Sequence, residues 1–223
     1  MKASHLFSLP KSLPFEKYFS PEATPWEWVI NIAKALENFD FTKTPQRRNI
    51  PQGLIIEGNA YIDPTVKLPP YGYIQGPAYI GANTELRPGI YIRGNVIVGE
   101  NCVLGNSCEY KNCLLMDNVQ TPHFNYVGDS VLGSGSHLAA GVILANLRLD
   151  QQFIAVDTGT EKIQTNLRKL GSMIGEKAEI GCNSVLQPGT ILSKGVLIGS
   201  CVALGGFVDE KKRVFAAAPI IKN

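Results

Sequence analysis

An aliphatic or aromatic residue returns every six positions along most of this chain. From Ile56 the series runs Ile62, Leu68, Ile74, Ile80, Leu86, Ile92, Val98, Leu104, Tyr110 and Met116. It shifts phase once and resumes at Tyr126, Leu132, Leu138 and Leu144, then returns at Ile174, Ile180, Leu186, Leu192, Ile198 and Leu204. Glycine often follows the aliphatic residue, as at Gly81, Gly99, Gly175 and Gly181. Four positions after it stands a small or β-branched residue, as at Ala78, Thr84, Val96, Cys102 and Ala178. A helix repeats at 3.6, and glycines at this density would cost it about 1 kcal/mol each. A hairpin meander alternates and then resets at a turn. Here the pattern never resets, so the chain turns the same way after every few residues. Three hexads close one triangular coil, and the coils stack as parallel sheets. The 21 repeat positions predict about seven coils of an all-β parallel solenoid, each burying its inner face only against its neighbours.

The rest of the chain divides around this block. Residues 1–50 lack the hexad and form an arm with one helix, 51–208 form the solenoid, and 209–223 are a tail. Thr24-Pro25-Trp26-Glu27 predicts a helix start, with Thr24 as N-cap, Pro25 at N1 and Glu27 closing a capping box. The stripe Val29, Ile32, Ala33, Leu36 and Phe39 extends that helix over about 25–38, packed on the open end or flank of the solenoid.

A formal charge of +2 with only a short basic cluster, Lys211–Arg213, argues against a nucleic-acid partner. No run is long and apolar enough to span a membrane, and residues 1–20 carry no signal-peptide pattern. The expectation is a cytoplasmic protein with no membrane partner. Of five cysteines, Cys102 and Cys108 fall on inward small positions and read as core residues. No cysteine pair has zinc-ligand spacing beside a histidine, and a metal-dependent site built on three histidines finds only His123 and His137 outside the terminal arm, so no metal is expected.

The hexad is broken at Asp117 to Asn125 and by an insertion at about 147–171. Within the insertion, Asp157-Thr158-Gly159-Thr160 reads as the turn of a hairpin flap projecting from the wall. His123 lies in the first break. As the side chain that titrates near neutrality, it is the first candidate general base. Tyr126 is placed to orient it or a substrate, and Asn146, on a later coil, can supply an amide.

Pro122-His123-Phe124-Asn125-Tyr126-Val127-Gly128-Asp129-Ser130, followed by Leu138 to Arg148, resembles the catalytic coils of hexapeptide acetyltransferases acting on amino-sugar 1-phosphates. Glu109-Tyr110-Lys111 upstream and Arg168-Lys169-Leu170-Gly171 downstream complete the likeness, which spans about 55–208. It is nearest to the C-terminal domain of bifunctional sugar-1-phosphate nucleotidyltransferase/acetyltransferases. The resemblance implies a left-handed β-helix, a homotrimer with sites between subunits, and acetyl-CoA lying along the coils beside Ala140, Cys182 and Ser200. It implies His123 as general base. Lys111 and Tyr126 would hold an amino-sugar phosphate such as glucosamine 1-phosphate, and Asn146 would contact the sugar or amine. Arg93 or Arg87 would bind phosphate, with Arg93 preferred for its one-coil spacing to Lys111. Against the family pattern, no nucleotidyltransferase domain is expected in this chain, the asparagine before Leu138 is His137, and the lysines after Asn146 are Gln152 and Ala155. Lys162 or Lys169 would replace those lysines. The alternative is a non-catalytic trimer that partners a separate nucleotidyltransferase.

Overall fold

The computed structural model describes residues 1–43 and 49–217. The chain winds into a parallel β-helix of triangular section, its three sides forming three stacked sheets. Its first face stacks eight strands from Gly53–Glu57 to Ala203–Leu204, and its second stacks eight from Ala60–Ile62 to Phe207–Val208. The third stacks seven, from Glu85–Leu86 to Arg213–Val214, with Lys67 adding a bridge to Glu85 above them. Among the described residues this makes eight coils, where the repeat predicts about seven. The last rung, at Arg213–Val214, pairs with Leu197–Ile198 inside the segment expected to be tail.

The inward residues form one column per face, and register identifies them. On the first face Ile74, Ile92, Tyr110, Val127, Leu144 and Leu186 stand in line, all fully buried. On the second, Ile80, Val98, Leu115, Leu132, Ile174 and Leu192 do so. The third runs through Leu86, Leu104 and Thr121 to Leu138. Thr121 is an inward polar group whose hydroxyl meets the Tyr110 hydroxyl at 2.6 Å and the Val103 carbonyl at 3.2 Å, so neither buried oxygen is unpaired.

This register corrects the reading of the repeat. Met116 and Tyr126 do not point inward; Leu115 and Val127 do. The repeat therefore does not slip across 117–125, and His123 lies on a regular side between Thr121 and Val127. Instead two sides, Tyr110 to Leu115 and Val127 to Leu132, are each one residue short. Both shortened corners join the first face to the second, at Asn112 (φ 47°) and Asp129 (φ 48°). The insertion leaves the coil at the next rung of the same corner. All three irregularities are thus stacked.

The helix Pro25–Glu37 has the expected capping box. Of the two expected places, it takes the flank, over the second face, rather than the open end. Phe7, Phe15, Trp28, Ile32 and Leu36 cover the outward residues Tyr79, Ile97, Leu114 and Val131, and so that face is buried on both sides. Ser12 donates to both oxygens of Asp117 (2.8 Å), pinning the arm to the coil. The insertion forms the antiparallel hairpin Ala155–Asp157 with Lys162–Gln164, anchored by Ile154 and Val156 in the same apolar layer.

Candidate functional site

Two groups of side chains flank the first face, one at each edge. At the edge where the third face turns into the first, His123 ends its strand with an exposed side chain. The next residue, Phe124, is 57% exposed and in the left-handed region (φ 53°). The buried side chain of Asn125 braces this corner. Its amide donates to the Ala139 carbonyl (2.8 Å), and its oxygen accepts the His123 N–H (3.4 Å). Below His123 the corners repeat in register. Gly141 N–H donates to the His123 carbonyl (3.0 Å), Asn183 N–H to Ala140 (2.9 Å), and Cys201 N–H to Cys182 (2.8 Å). His123, Ala140, Cys182 and Ser200 therefore stand in one column, a rung of about 4.8 Å apart. The three residues chosen for acetyl-CoA are brought into line under the candidate base. Their own N–H groups have no acceptor within the described chain.

At the opposite edge lies a polar cluster. Lys111 Nζ donates to both oxygens of Asp129 (3.1 and 3.2 Å). Asn146 Nδ2 donates to Asp129 (2.5 Å) and to the Tyr126 phenol oxygen (3.2 Å). Arg93 Nη1 donates to Glu109 (2.5 Å), which neighbours Tyr126 in register. Burial, and then the Glu109 carboxylate, push the Tyr126 phenol above its ordinary range, so it stays protonated and able to donate. Glu109 raises the Arg93 guanidinium likewise. The cluster arches over Gly128, where a Cβ would stand 2.6 Å from the Tyr126 oxygen and 2.7 Å from Asn146 Nδ2. Lys169 borders it: its backbone bridges to Leu147, and Leu170 N–H donates to the Asn146 carbonyl (2.9 Å).

Arg93, Lys111, Tyr126 and Asn146 thus come together, with Lys169 alongside. Arg87 does not join them. It lies on the third-face side, where its Nε donates to Glu85 (3.2 Å). Tyr126 engages Asn146 rather than His123. Asp129, at the hub, was not among the candidates. Its signal was the pair of five-residue sides, visible once Leu115 and Val127 are taken as the inward residues.

The GMPPB C-terminal domain family model matches residues 74–163. The chain is 31% identical over 211 residues to the bifunctional protein GlmU of Methanococcus aeolicus, covering 95% of this chain and 50% of that one. It is 34% identical over 180 residues to a bifunctional sugar-1-phosphate nucleotidylyltransferase/acetyltransferase of Sulfurisphaera tokodaii, covering 80% of this chain and 44% of that one. A solved structure of the polysialic acid O-acetyltransferase OatWY aligns over 70% of this chain and 80% of that one, with 17% identity and a TM-score of 0.42. The chain carries a hexapeptide repeat folded as a parallel β-helix. Within that class it resembles the bifunctional sugar-1-phosphate nucleotidylyltransferase/acetyltransferases, and it spans about half the length of those curated relatives.

Proposed function

We propose that this chain is a cytoplasmic acetyltransferase that moves an acetyl group from acetyl-CoA to the amine of an amino-sugar phosphate such as glucosamine 1-phosphate. The observation that carries this reading is the column of His123 over Ala140, Cys182 and Ser200. The His123 imidazole heads a straight file of N–H donors that have no acceptor among the described residues, and such a file suits the amides of a pantetheine arm. In this reading the arm runs along the corner and delivers the thioester beside His123. His123 takes a proton from the acceptor ammonium, and the free amine attacks the carbonyl carbon. The Ala140 N–H, one rung below, is the donor for the oxyanion. The C–S bond then breaks, and the CoA thiolate leaves and takes up the proton that the nitrogen gives up in becoming the amide.

Lys111, Tyr126 and Asn146 hold the acceptor, with Arg93 or Lys169 on its phosphate. The base and this cluster flank opposite edges of one face. Pairing of neighbouring copies in a homotrimer brings one chain's base to another's cluster. The reading as a non-catalytic partner of a separate nucleotidyltransferase draws on one observation: Arg93 and Lys111 are each already paired with a carboxylate.

Acetyl-CoA binding separates the two. On the proposal, acetyl-CoA raises the melting temperature of the protein, and Cys182→Trp, which fills the corner under His123, abolishes the rise. No rise in the unmodified protein contradicts it.

A further inference from the structure

The acceptor cluster has a carboxylate at its centre that no chemical step requires. Asp129 is 4% exposed, and a buried charge is tolerated only when it is paired and hydrogen-bonded. Four donor contacts reach it: Lys111 Nζ on both oxygens, Asn112 Nδ2 (2.9 Å) and Asn146 Nδ2. A carboxylate offers about four lone-pair sites, so its capacity is filled and it is not free to act as a base. Its main chain is fixed as well. Its N–H donates to the Lys111 carbonyl (2.9 Å), and its own carbonyl accepts the Gly171 N–H (2.8 Å).

We propose that Asp129 is a positioning residue that sets the hydrogen-bonding polarity of the acceptor site. This rests on the acetyltransferase reading above. Asn146 spends both amide hydrogens inside the protein, on Asp129 and on the Tyr126 oxygen. Its Oδ1 is therefore left as an acceptor, suited to an ammonium or hydroxyl of the acceptor substrate. The Tyr126 oxygen receives the Asn146 hydrogen and keeps its own O–H to give. Lys111, held by Asp129, keeps a further N–H for an anion. One acceptor, one neutral donor and one cationic donor are thus fixed side by side, a set that fits a hydroxylated, phosphorylated amine. The shortened corner at Asp129 lies one rung below the shortened corner at Asn112, whose side-chain amide is one of its donors.

The test uses Asp129→Asn in the full chain, with Asp129→Ser in its place if the amide variant does not fold. The first readout needs no turnover. The acetylation rate of Lys111 by an N-hydroxysuccinimide ester is followed by peptide mass spectrometry, with the exposed Lys34 of the arm helix as internal reference. Loss of Asp129 frees Lys111 and raises its rate by about fivefold or more against Lys34; an unchanged ratio overturns the proposal. The second readout is kinetic. The KM for glucosamine 1-phosphate rises about tenfold or more, while that for acetyl-CoA stays within about twofold. Lys111→Met combined with Asp129→Asn is then scarcely worse than Lys111→Met alone. Equal loss for both substrates, or multiplicative losses in the double variant, overturns the proposal. If the unmodified protein turns over no amino sugar, the functional reading fails, and the Lys111 labelling still decides the role of Asp129.

Discussion

The side-chain amide of Asn125 donates to the Ala139 carbonyl one rung below it, at 2.8 Å. Its oxygen accepts the N–H of His123, so one buried carboxamide joins the candidate base to the head of the proposed acetyl-CoA corner. Asn125→Ala leaves the Ala139 carbonyl without that donor. It should cost about 1–3 kcal/mol of stability, measured by urea unfolding. It should also lower kcat more than it raises the KM for acetyl-CoA, because the corner below stays in place. A variant as stable and as active as the parent would show that the brace does nothing.

The aromatic arm covers the second face. Trp28 packs on Phe7 and Phe19 at ring distances of 5.4 and 5.3 Å and donates its Nε1–H to the Ser20 carbonyl (2.8 Å). Trp28→Ala should lose about 3–5 kcal/mol. It should also expose Ile97, Leu114 and Val131, so that the variant self-associates in light scattering. A loss under about 1 kcal/mol would mean the arm is not part of the core.

Stability should fall at alkaline pH. Burial pushes Tyr79 up to about 12, Tyr110 well above its ordinary value of 10.0, and Cys102 up to about 12 from 9.0. Folded-state values raised in this way mean that the unfolded chain releases protons first. The contribution is fully present below the unfolded values and is lost as pH rises through the folded ones. The urea midpoint should be level up to about pH 8 and fall steadily from about pH 9 to 12. A midpoint that rises over that span would contradict the burial of these groups.

Much of this was legible in the sequence, for identifiable reasons. The hexad reported the coil because inward residues must be apolar or small, and the helix start at Thr24–Glu27 follows from local chemistry alone. The reading failed where one rung breaks the rule. Thr121 points inward although polar, because Tyr110 and Val103 satisfy it. Met116 and Tyr126 are apolar or aromatic yet point outward, one under the arm and one into the site. Counting by sixes therefore passed through the wrong residues and put a break around His123. The true irregularities lie at Asn112 and Asp129, and they mark the candidate site better than the hexad does. Arg93 and Arg87 could not be separated by motif; the spacing to Lys111 ranked them, and the fold gives each a different carboxylate. The hub role of Asp129 needed three coils in register to appear.

The most direct measurement is thiol release from acetyl-CoA with glucosamine 1-phosphate and galactosamine 1-phosphate, for the unmodified protein and for His123→Ala. The His123 side chain is exposed, so its removal should leave the melting temperature essentially unchanged. The account predicts amine-dependent turnover that falls by about 10²-fold or more in the variant. Turnover that survives His123→Ala would remove the base from the mechanism, and no turnover with any amino sugar would contradict the account itself.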